Sequence, residues 1–244
     1  MAGIIRHLKN EILNIVPSKF QEKILDSTNF LGFSQHSFSQ EGEDMILSKL
    51  LESVENGFFI DIGAYHPIRF SNTYKFYLKG WRGINIDALP GSMDLFNKYR
   101  SRDINLEIPI AKEKKSMPFF SFNEPALNTF SEDLAKDRGT PKKVYQLEAS
   151  PLNEILDKYI PKDVNKIDFM SIDVEGFDLE VLESNNWDRY TPKIIVIESL
   201  STASDIFSAL NCEVALFLKS KNYTLCSKSH NSLFFLLDDT SNKH

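Results

Sequence analysis

The sequence predicts an α/β protein with a mostly parallel, seven-stranded sheet and helices on both of its faces. The first observation is that short apolar runs alternate with segments of helical periodicity from residue 39 onward, which demands right-handed crossovers between parallel strands. The second is that the last two apolar runs, "YTLCSK" and "SLFFLLD", lie close enough in the chain to form an antiparallel pair. We therefore expect one sheet whose final strand runs antiparallel to the rest.

Length and charge limit the classes of protein that fit. The 244 residues suit one domain with small additions, and a net charge of −6 argues against binding along a nucleic-acid backbone. No apolar run reaches the roughly 18 residues of a membrane span, so no transmembrane segment is predicted. Cys212 and Cys226 lack metal-ligand spacing and are typical of free thiols in a reducing compartment, which indicates a cytoplasmic protein.

Three parts are predicted along the chain: an N-terminal helix and loop extension over 1–38, a main domain over 39–239 and a tail over 240–244. Apolar residues of the extension fall on one helical face, at Ile4, Leu8 and Ile12. This face would pack on the domain or on a second subunit, in which case the protein is a homo-oligomer. A helix lying on a membrane surface is the alternative, and it is disfavoured because the polar face is not strongly basic.

Each element of the main domain follows from a local pattern. "SQEGEDMILSKLLESV" has an apolar stripe of helical spacing with Ser39 as its cap. "GFFIDIG" is an apolar run between glycines, which predicts a strand buried on both faces. "SNTYKFYLKG" predicts a helix that Ser71 begins and Gly80 ends. The strand "GINID", the helix "SMDLFNKYR" and the strand "INLEIPIA" come next.

The middle of the chain interrupts this alternation. "MPFFSF" predicts a short strand or an edge extension, and residues 123–145 are polar with proline and glycine, which predicts a loop excursion or lid. The alternation resumes with the helix "PLNEILDKYI", the strand "KIDFMSIDVEG", the helix "FDLEVLES" and the strand "KIIVIES". The helix "EVALFLKSKN" precedes the closing antiparallel pair.

Asp61 and Asp87 end two consecutive predicted strands. Ligands of an open parallel sheet sit beyond the carboxyl ends of its strands, and an acidic residue that closes the second strand commonly accepts hydrogen bonds from both hydroxyls of a ribose. Asp87 fits this role. Either aspartate alone would more often be a loop acid or a helix cap, but two at consecutive strand ends, joined by one helix, favour a binding site.

The turn after the first strand distinguishes between two cofactors. A pyrophosphate needs a glycine-rich turn, whereas "DIGAYHPIRFSN" has one glycine, Gly63, with Pro67 close by, and Asp61 would repel a phosphate. A carboxylate there suits a cation such as the ammonium of a methionine moiety, and Gly63 lets the backbone approach it. The pocket therefore fits S-adenosylmethionine better than a dinucleotide, which disfavours the alternative of an NAD-dependent oxidoreductase.

Three carboxylates mark a second group of candidates at the ends of later strands. Asp173 and Glu198 each close a strand, and Glu175 lies in the turn after Asp173. Converging carboxylates could hold Mg²⁺ or Mn²⁺, with Asp173 and Glu198 as ligands, or one could act as a general base. The alternatives are that Glu175 caps the following helix and that Glu198 pairs with a lysine. His66, in the first turn, is a second base candidate, although a lone histidine is more often structural.

Four segments, "DIGAYHP", "GWRGINID", "SIDVEGFDLEVL" and "IIVIES", together resemble the FkbM family of S-adenosylmethionine-dependent O-methyltransferases. "SQEGEDMIL" resembles the stretch that precedes the domain in that family. The resemblance runs from about Ser39 to Leu237 and implies a Rossmann-like class I methyltransferase fold. It also implies methylation of a hydroxyl on a small molecule, here a sugar of a bacterial surface polysaccharide or its nucleotide-sugar precursor.

The resemblance implies a role for individual residues in binding the cofactor. It assigns Asp61 and Gly63 to the methionine end and Asp87 to the ribose. Further candidates near the cofactor carboxylate are Asn72, Thr73, Ser39 and Gln40. The family usually shows "DIGAN-x-G" in the first turn, where this chain has "AYHP". That departure is the one observation in favour of a third alternative, a binding module that keeps the methyltransferase fold without turnover.

Overall fold

The computed structural model describes residues 35–124, 127–199 and 205–238. The chain separates into two compact units, residues 1–37 and residues 38–244. The predicted N-terminal helix and the tail over 240–244 lie outside the described residues. Within the described part, no helix is both long and apolar enough to cross a lipid bilayer.

Nine strands and eight helices follow one another in the described part of the chain. The strands are β1 (Phe58–Ile62), β2 (Arg82–Asp87), β3 (Ile104–Glu107), β4 (Lys115–Ser121), β5 (Lys143–Ala149), β6 (Phe169–Ile172), β7 (Ile194–Glu198), β8 (Tyr223–Lys228) and β9 (Ser232–Leu237). The helices are α1 (Glu43–Leu50), α2 (Tyr74–Leu78), α3 (Met93–Tyr99), α4 (Glu132–Asp137), α5 (Leu152–Tyr159), α6 (Asp178–Glu183), α7 (Ile206–Asn211) and α8 (Glu213–Ser220).

Seven of these strands form the main sheet, in the order β3-β2-β1-β6-β7-β9-β8. Strands β1, β2, β3, β6 and β7 are parallel, and β9 runs antiparallel to both of its neighbours, β7 and β8. The predicted fold class, a Rossmann-like sheet with an antiparallel final strand, is confirmed. The strand order reverses between β1 and β6, which is where ligands bind in such sheets.

The central strands are apolar because both faces of the sheet are covered. Every residue of β1 and β6 is buried. One face packs with α5, α6 and α8 in a large cluster that includes Leu156 and Leu218. The other face packs with α1 around Phe59, Phe76 and Trp81. This covering leaves only the strand ends open, and a ligand site is confined to them.

The excursion predicted over residues 123–145 is more ordered than its composition indicates. It contains α4, and its last residues begin β5, which pairs antiparallel with β4 in a separate two-stranded sheet. The prediction of a structureless loop is therefore corrected for residues 132–137 and 143–145. The side chains of β5 alternate between half-buried and exposed positions, and a strand on a small outer sheet lacks the apolar run that marks a core strand.

Two predicted helix caps act from outside their helices. Helix α1 begins later than predicted, after Gly42 in the left-handed conformation at φ 88°, and the Ser39 hydroxyl accepts a hydrogen bond from the Asp44 N–H at 3.2 Å. Helix α2 begins after Thr73, and the Ser71 hydroxyl accepts from the Tyr74 N–H at 3.1 Å. Both serines thus satisfy backbone donors of the first turn, as predicted caps do.

Candidate functional site

The register of the sheet places four candidate residues in one row at its carboxyl edge. Ile62 of β1 pairs with Ile86 and with Ile172, and Ile172 pairs with Ile197. The next residue along each of these strands belongs to the row, which we call the edge row: Asp87, Gly63, Asp173 and Glu198. One position earlier than the paired isoleucines lies a second row, the inner row, formed by Asn85, Asp61 and Ser171.

A cavity of about 330 Å³ runs along the edge row, a volume within the usual range for small-molecule sites. All four edge-row residues line it, whereas none of the three inner-row residues does. Among the described residues that line the cavity, the acidic ones are Glu41, Glu43, Asp87, Asp173, Glu175 and Glu198, and Arg138 is the basic one. The excess of negative charge suits a cationic ligand, as the first turn of the sequence predicted.

At one end of the cavity, the Asp87 carboxylate is held by the backbone. Its Oδ1 accepts from the Leu89 N–H at 2.7 Å, and its Oδ2 accepts from the Tyr65 N–H at 3.1 Å. Burial raises the pKa of Asp87 above its ordinary value, and the bond from Leu89 opposes that rise. Each oxygen keeps a further lone pair, so the carboxylate can accept from two neighbouring hydroxyls.

Gly63 is required by a close approach between two turns. Its φ is 80°, and an added Cβ would lie 1.7 Å from the Asp173 carbonyl oxygen. Its N–H donates to the Ile86 carbonyl at 2.9 Å. The absence of a side chain therefore brings the ends of β1 and β6 together and leaves the Gly63 backbone on the cavity wall.

The structure corrects the predicted positions of Asp61 and Thr73. Asp61 is 5% exposed, Thr73 is fully buried, and neither lines the cavity. The Thr73 hydroxyl donates to Asp61 Oδ2 at 2.8 Å, and burial raises the Asp61 pKa to about 6 against the bond from Thr73. Asp61 lies one residue too early on its strand to reach the edge, so its side chain sits beneath the cavity wall.

Asp173, Glu175 and Glu198 converge at the centre of the cavity. One ligand oxygen from each lies within 4.8 Å of the others. Asp173 is exposed, and the surface it exposes faces the cavity. Removal from water, then repulsion from Glu198 and Glu175, raises the Asp173 pKa well above its ordinary value. Removal from water, then repulsion from Glu175, raises the Glu198 pKa to about 7. A proton or a cation would relieve this repulsion.

Glu175 and Asp178 divide the two roles that the sequence left open for Glu175. Asp178 accepts from the Val174 N–H at 3.3 Å and the Gly176 N–H at 3.2 Å, so it satisfies the turn before α6. Glu175, at a φ of 52°, pairs with Arg138 from the end of α4. The Thr129 hydroxyl donates to the Glu175 carbonyl at 2.9 Å. The excursion therefore contacts the carboxylate cluster directly.

His66 has a structural place in the first turn. Its Nδ1 accepts from the Ile68 N–H at 3.1 Å and from the Arg69 N–H at 2.9 Å, and its side chain does not line the cavity. Burial, then the charge of Arg69, lowers the His66 pKa. The structure thus gives His66 no contact with the carboxylate cluster, in contrast to its predicted place as a base.

The remaining cofactor candidates divide between the cavity and the loop before α1. Asn72 lines the cavity, and its amide donates to the Ser171 hydroxyl at 3.0 Å. Gln40 also lines the cavity. Ser39 does not, and its hydroxyl donates to Asp44 Oδ1 at 3.1 Å. Of this group, Asn72 and Gln40 are placed to contact a ligand.

Sequence reasoning missed several residues of the cavity wall. Glu41 accepts from the Asn231 N–H at 2.8 Å and so joins the loop before α1 to the turn before β9. Hydrogen bonds from Asn231 and Ser229 lower the Glu41 pKa, although burial opposes them. Tyr65 and Arg138 also line the cavity. The clustering of acids in "SQEGED" is the one sequence signal that could have identified Glu41, because Arg138 reaches the cavity only through tertiary structure.

Solved structures similar to this chain include three methyltransferase-related proteins at low identity. An O-methyltransferase from Bacillus cereus in complex with SAH has 12% identity, with 96% of this chain and 97% of that chain covered at a TM-score of 0.40. A precorrin-6Y C5,15-methyltransferase from Geobacter metallireducens GS-15 has 12% identity, with 79% and 84% covered at 0.39. A Methanococcus jannaschii fibrillarin pre-rRNA processing protein has 12% identity, with 76% and 68% covered at 0.42. No curated protein matches the chain.

The family comparison gives a definite result. The methyltransferase FkbM domain matches residues 61–225, which is more than half of the chain. The match contains β1, the edge row and the carboxylate cluster, the same features that the structure brings together. It implies S-adenosylmethionine as the cofactor and does not support the NAD-dependent alternative. The chain belongs to the FkbM family of methyltransferases.

Proposed function

We propose that the protein is an O-methyltransferase that transfers a methyl group from S-adenosylmethionine to a hydroxyl of a carbohydrate. The acceptor in this proposal is a sugar of a bacterial surface polysaccharide or its nucleotide-sugar precursor. The observation that carries the proposal is the continuity of one cavity from Asp87 to the cluster of Asp173, Glu175 and Glu198. A ribose-binding carboxylate and a group able to take a hydroxyl proton thus line the same space.

The acidic wall supports the cofactor part of the proposal. S-adenosylmethionine carries a positive sulfonium and supplies an electrophilic methyl group. With Asp87 on the ribose, the methionine moiety extends past Gly63 towards Asn72, and the sulfonium faces the carboxylates of the edge row. Attraction between opposite charges in a cavity with little water is stronger than in bulk solvent.

The carboxylate cluster supports the O-methylation part. A sugar hydroxyl is a weak nucleophile at neutral pH, so it needs a base or a cation that lowers its pKa. The acceptor oxygen attacks the methyl carbon in line with the departing sulfur, and its proton passes to Asp173. The raised pKa of Asp173 suits a group that must accept a proton near neutral pH.

A divalent cation is an alternative way to activate the hydroxyl. Asp173 and Glu198 offer hard oxygen ligands at neighbouring strand ends, which Mg²⁺ and Mn²⁺ prefer. Such a cation would lower the pKa of the acceptor hydroxyl. An assay with chelator distinguishes the two versions, because loss of turnover that Mg²⁺ or Mn²⁺ restores requires a metal, and unchanged turnover requires a base alone.

The test of the proposal is methyl transfer to a panel of neutral sugars and nucleotide sugars, followed by the formation of S-adenosylhomocysteine. Turnover of at least one carbohydrate supports the proposal. Binding of S-adenosylhomocysteine without turnover of any acceptor would favour a non-catalytic module. The proposal includes a cytoplasmic location, which the two free cysteines support, and a homo-oligomer formed through the N-terminal extension, which sedimentation of a chain lacking residues 1–38 would test.

A further inference from the structure

Beneath the first turn lies a buried guanidinium that sequence reasoning did not single out. Arg100 follows α3 and is 0% exposed. Its Nε donates to Asp103 Oδ2 at 2.8 Å, which balances its charge. Aromatic rings surround it, with the Tyr77 ring centroid 4.7 Å from its Cζ. A buried charge with this many partners holds one geometry, because each partner would be left unpaired by a shift.

Arg100 is also bonded to the turn that joins β1 to α2. Its Nη1 donates to the Pro67 carbonyl at 3.1 Å, in the middle of the turn. Its Nη2 donates to the Thr73 hydroxyl at 3.1 Å, at the end of the turn, and that hydroxyl donates in turn to Asp61. One side chain therefore fixes the turn at two points and connects it to the inner row.

The turn needs such support because of its backbone conformation. Tyr65 and Phe70 have φ values of 46° and 56°, which L-residues with side chains rarely adopt. Both residues line the cavity, and so does Asn72, the neighbour of Thr73. The cavity-facing shape of the turn is thus maintained by contacts on its opposite side. A turn with several glycines would reach a similar shape without them.

We infer that Arg100 is a positioning residue for the cofactor, acting through the Pro67 carbonyl and the Thr73 hydroxyl to hold the first turn against the cavity. The inference rests on the proposed function, since it assumes that S-adenosylmethionine binds along this turn. It also explains why Asp61 and Thr73 belong to the site's surroundings without touching its ligand.

The test uses Thr73→Val, which removes the hydroxyl and keeps the shape, with Thr73→Ser as the matched variant that restores it. Titration calorimetry with S-adenosylhomocysteine should show affinity about tenfold weaker for Thr73→Val and nearly unchanged for Thr73→Ser. Leu218→Ala controls for general destabilisation, since Leu218 is fully buried in α8 and does not line the cavity. It should leave the affinity unchanged at a temperature where it is folded.

Hydrogen exchange supplies a readout that does not depend on the ligand. Thr73→Val and Arg100→Lys should exchange faster in peptides covering residues 63–73 and equally in peptides covering 169–173. Unchanged exchange over 63–73, or equal affinity of Thr73→Val and the natural protein, would overturn the inference. Failure of the natural protein to bind S-adenosylhomocysteine would instead refute the proposed function, so the two failures are distinguishable.

Discussion

Asp61 and Asp87 occupy similar places in the sequence and different places in the molecule. Each ends an apolar strand, and the two strands are neighbours. Asp87 belongs to the edge row and lines the cavity, whereas Asp61 pairs with Asn85 in the inner row and bonds Thr73. A difference of one strand position separates a candidate ligand-binding carboxylate from a supporting one.

The difference teaches that strand ends must be aligned by register before their residues are assigned to a site. The five parallel strands end in the pattern of one residue, then an apolar residue, then the edge position: "DIG", "NID", "NLE", "SID" and "VIE". Aligned in this way, the third letters are the edge row together with Glu107. The first letters are the inner row with Asn105 and Val196.

The largest expected effect concerns the same substitution in the two rows. Asp173→Asn should reduce turnover by about 10²–10⁴, the usual result of losing a general base, and should keep affinity for S-adenosylhomocysteine. Asp61→Asn should keep turnover within about threefold, because an amide can still accept from Thr73. Steady-state kinetics of both variants makes the comparison, and full activity of Asp173→Asn would contradict it.

A second effect concerns the stability of the inner row against pH. The Asp61 pKa is about 6 in the folded protein and 3.8 without burial, so between these values the folded state keeps a proton that the unfolded state has lost. The free energy of unfolding should therefore fall, by at most about 3 kcal/mol, as the pH rises from 4 to 6. Urea unfolding across this range should show that fall for the natural protein relative to Asp61→Asn. Parallel curves would show that Asp61 is ionised throughout.

The smallest effect is expected at His66. His66→Ala removes the acceptor for two backbone N–H groups of a partly exposed turn, which should cost about 1 kcal/mol of stability. Turnover should stay within about threefold, since the ring does not line the cavity. Thermal unfolding and kinetics of this variant test both statements. A loss of turnover equal to that of Asp173→Asn would make His66 the base.

Most of the fold could be predicted from the sequence because buried strands and amphipathic helices leave distinct periods. Two described elements escaped, β5 and α7, and both face solvent over much of their length. Phe207 in α7 is 75% exposed, so its apolar character carries no information about the core. Elements outside the main sheet are poorly marked because burial does not dictate their residues.

The candidate site was predictable along the edge row and not beyond it. Asp87, Asp173 and Glu198 followed from the rule that ligands meet the carboxyl ends of strands. Arg138 and Arg100 did not, because their positions depend on contacts between segments far apart in the chain. Arg100 is 33 residues from its acceptor Pro67, and Arg138 is 37 residues from Glu175. Nothing in the local sequence distinguishes these arginines from surface ones.

The measurement that tests the account most directly is titration calorimetry of S-adenosylhomocysteine with the natural protein, Asp87→Asn and Asp61→Asn. The account predicts that Asp87→Asn loses about 1–3 kcal/mol of binding free energy, the scale for hydrogen bonds to a charged group. It predicts no comparable loss for Asp61→Asn, since that carboxylate lies beneath the cavity wall. Equal affinity of Asp87→Asn and the natural protein, or a larger loss for Asp61→Asn than for Asp87→Asn, would contradict the assignment of the edge row as the ligand-binding row.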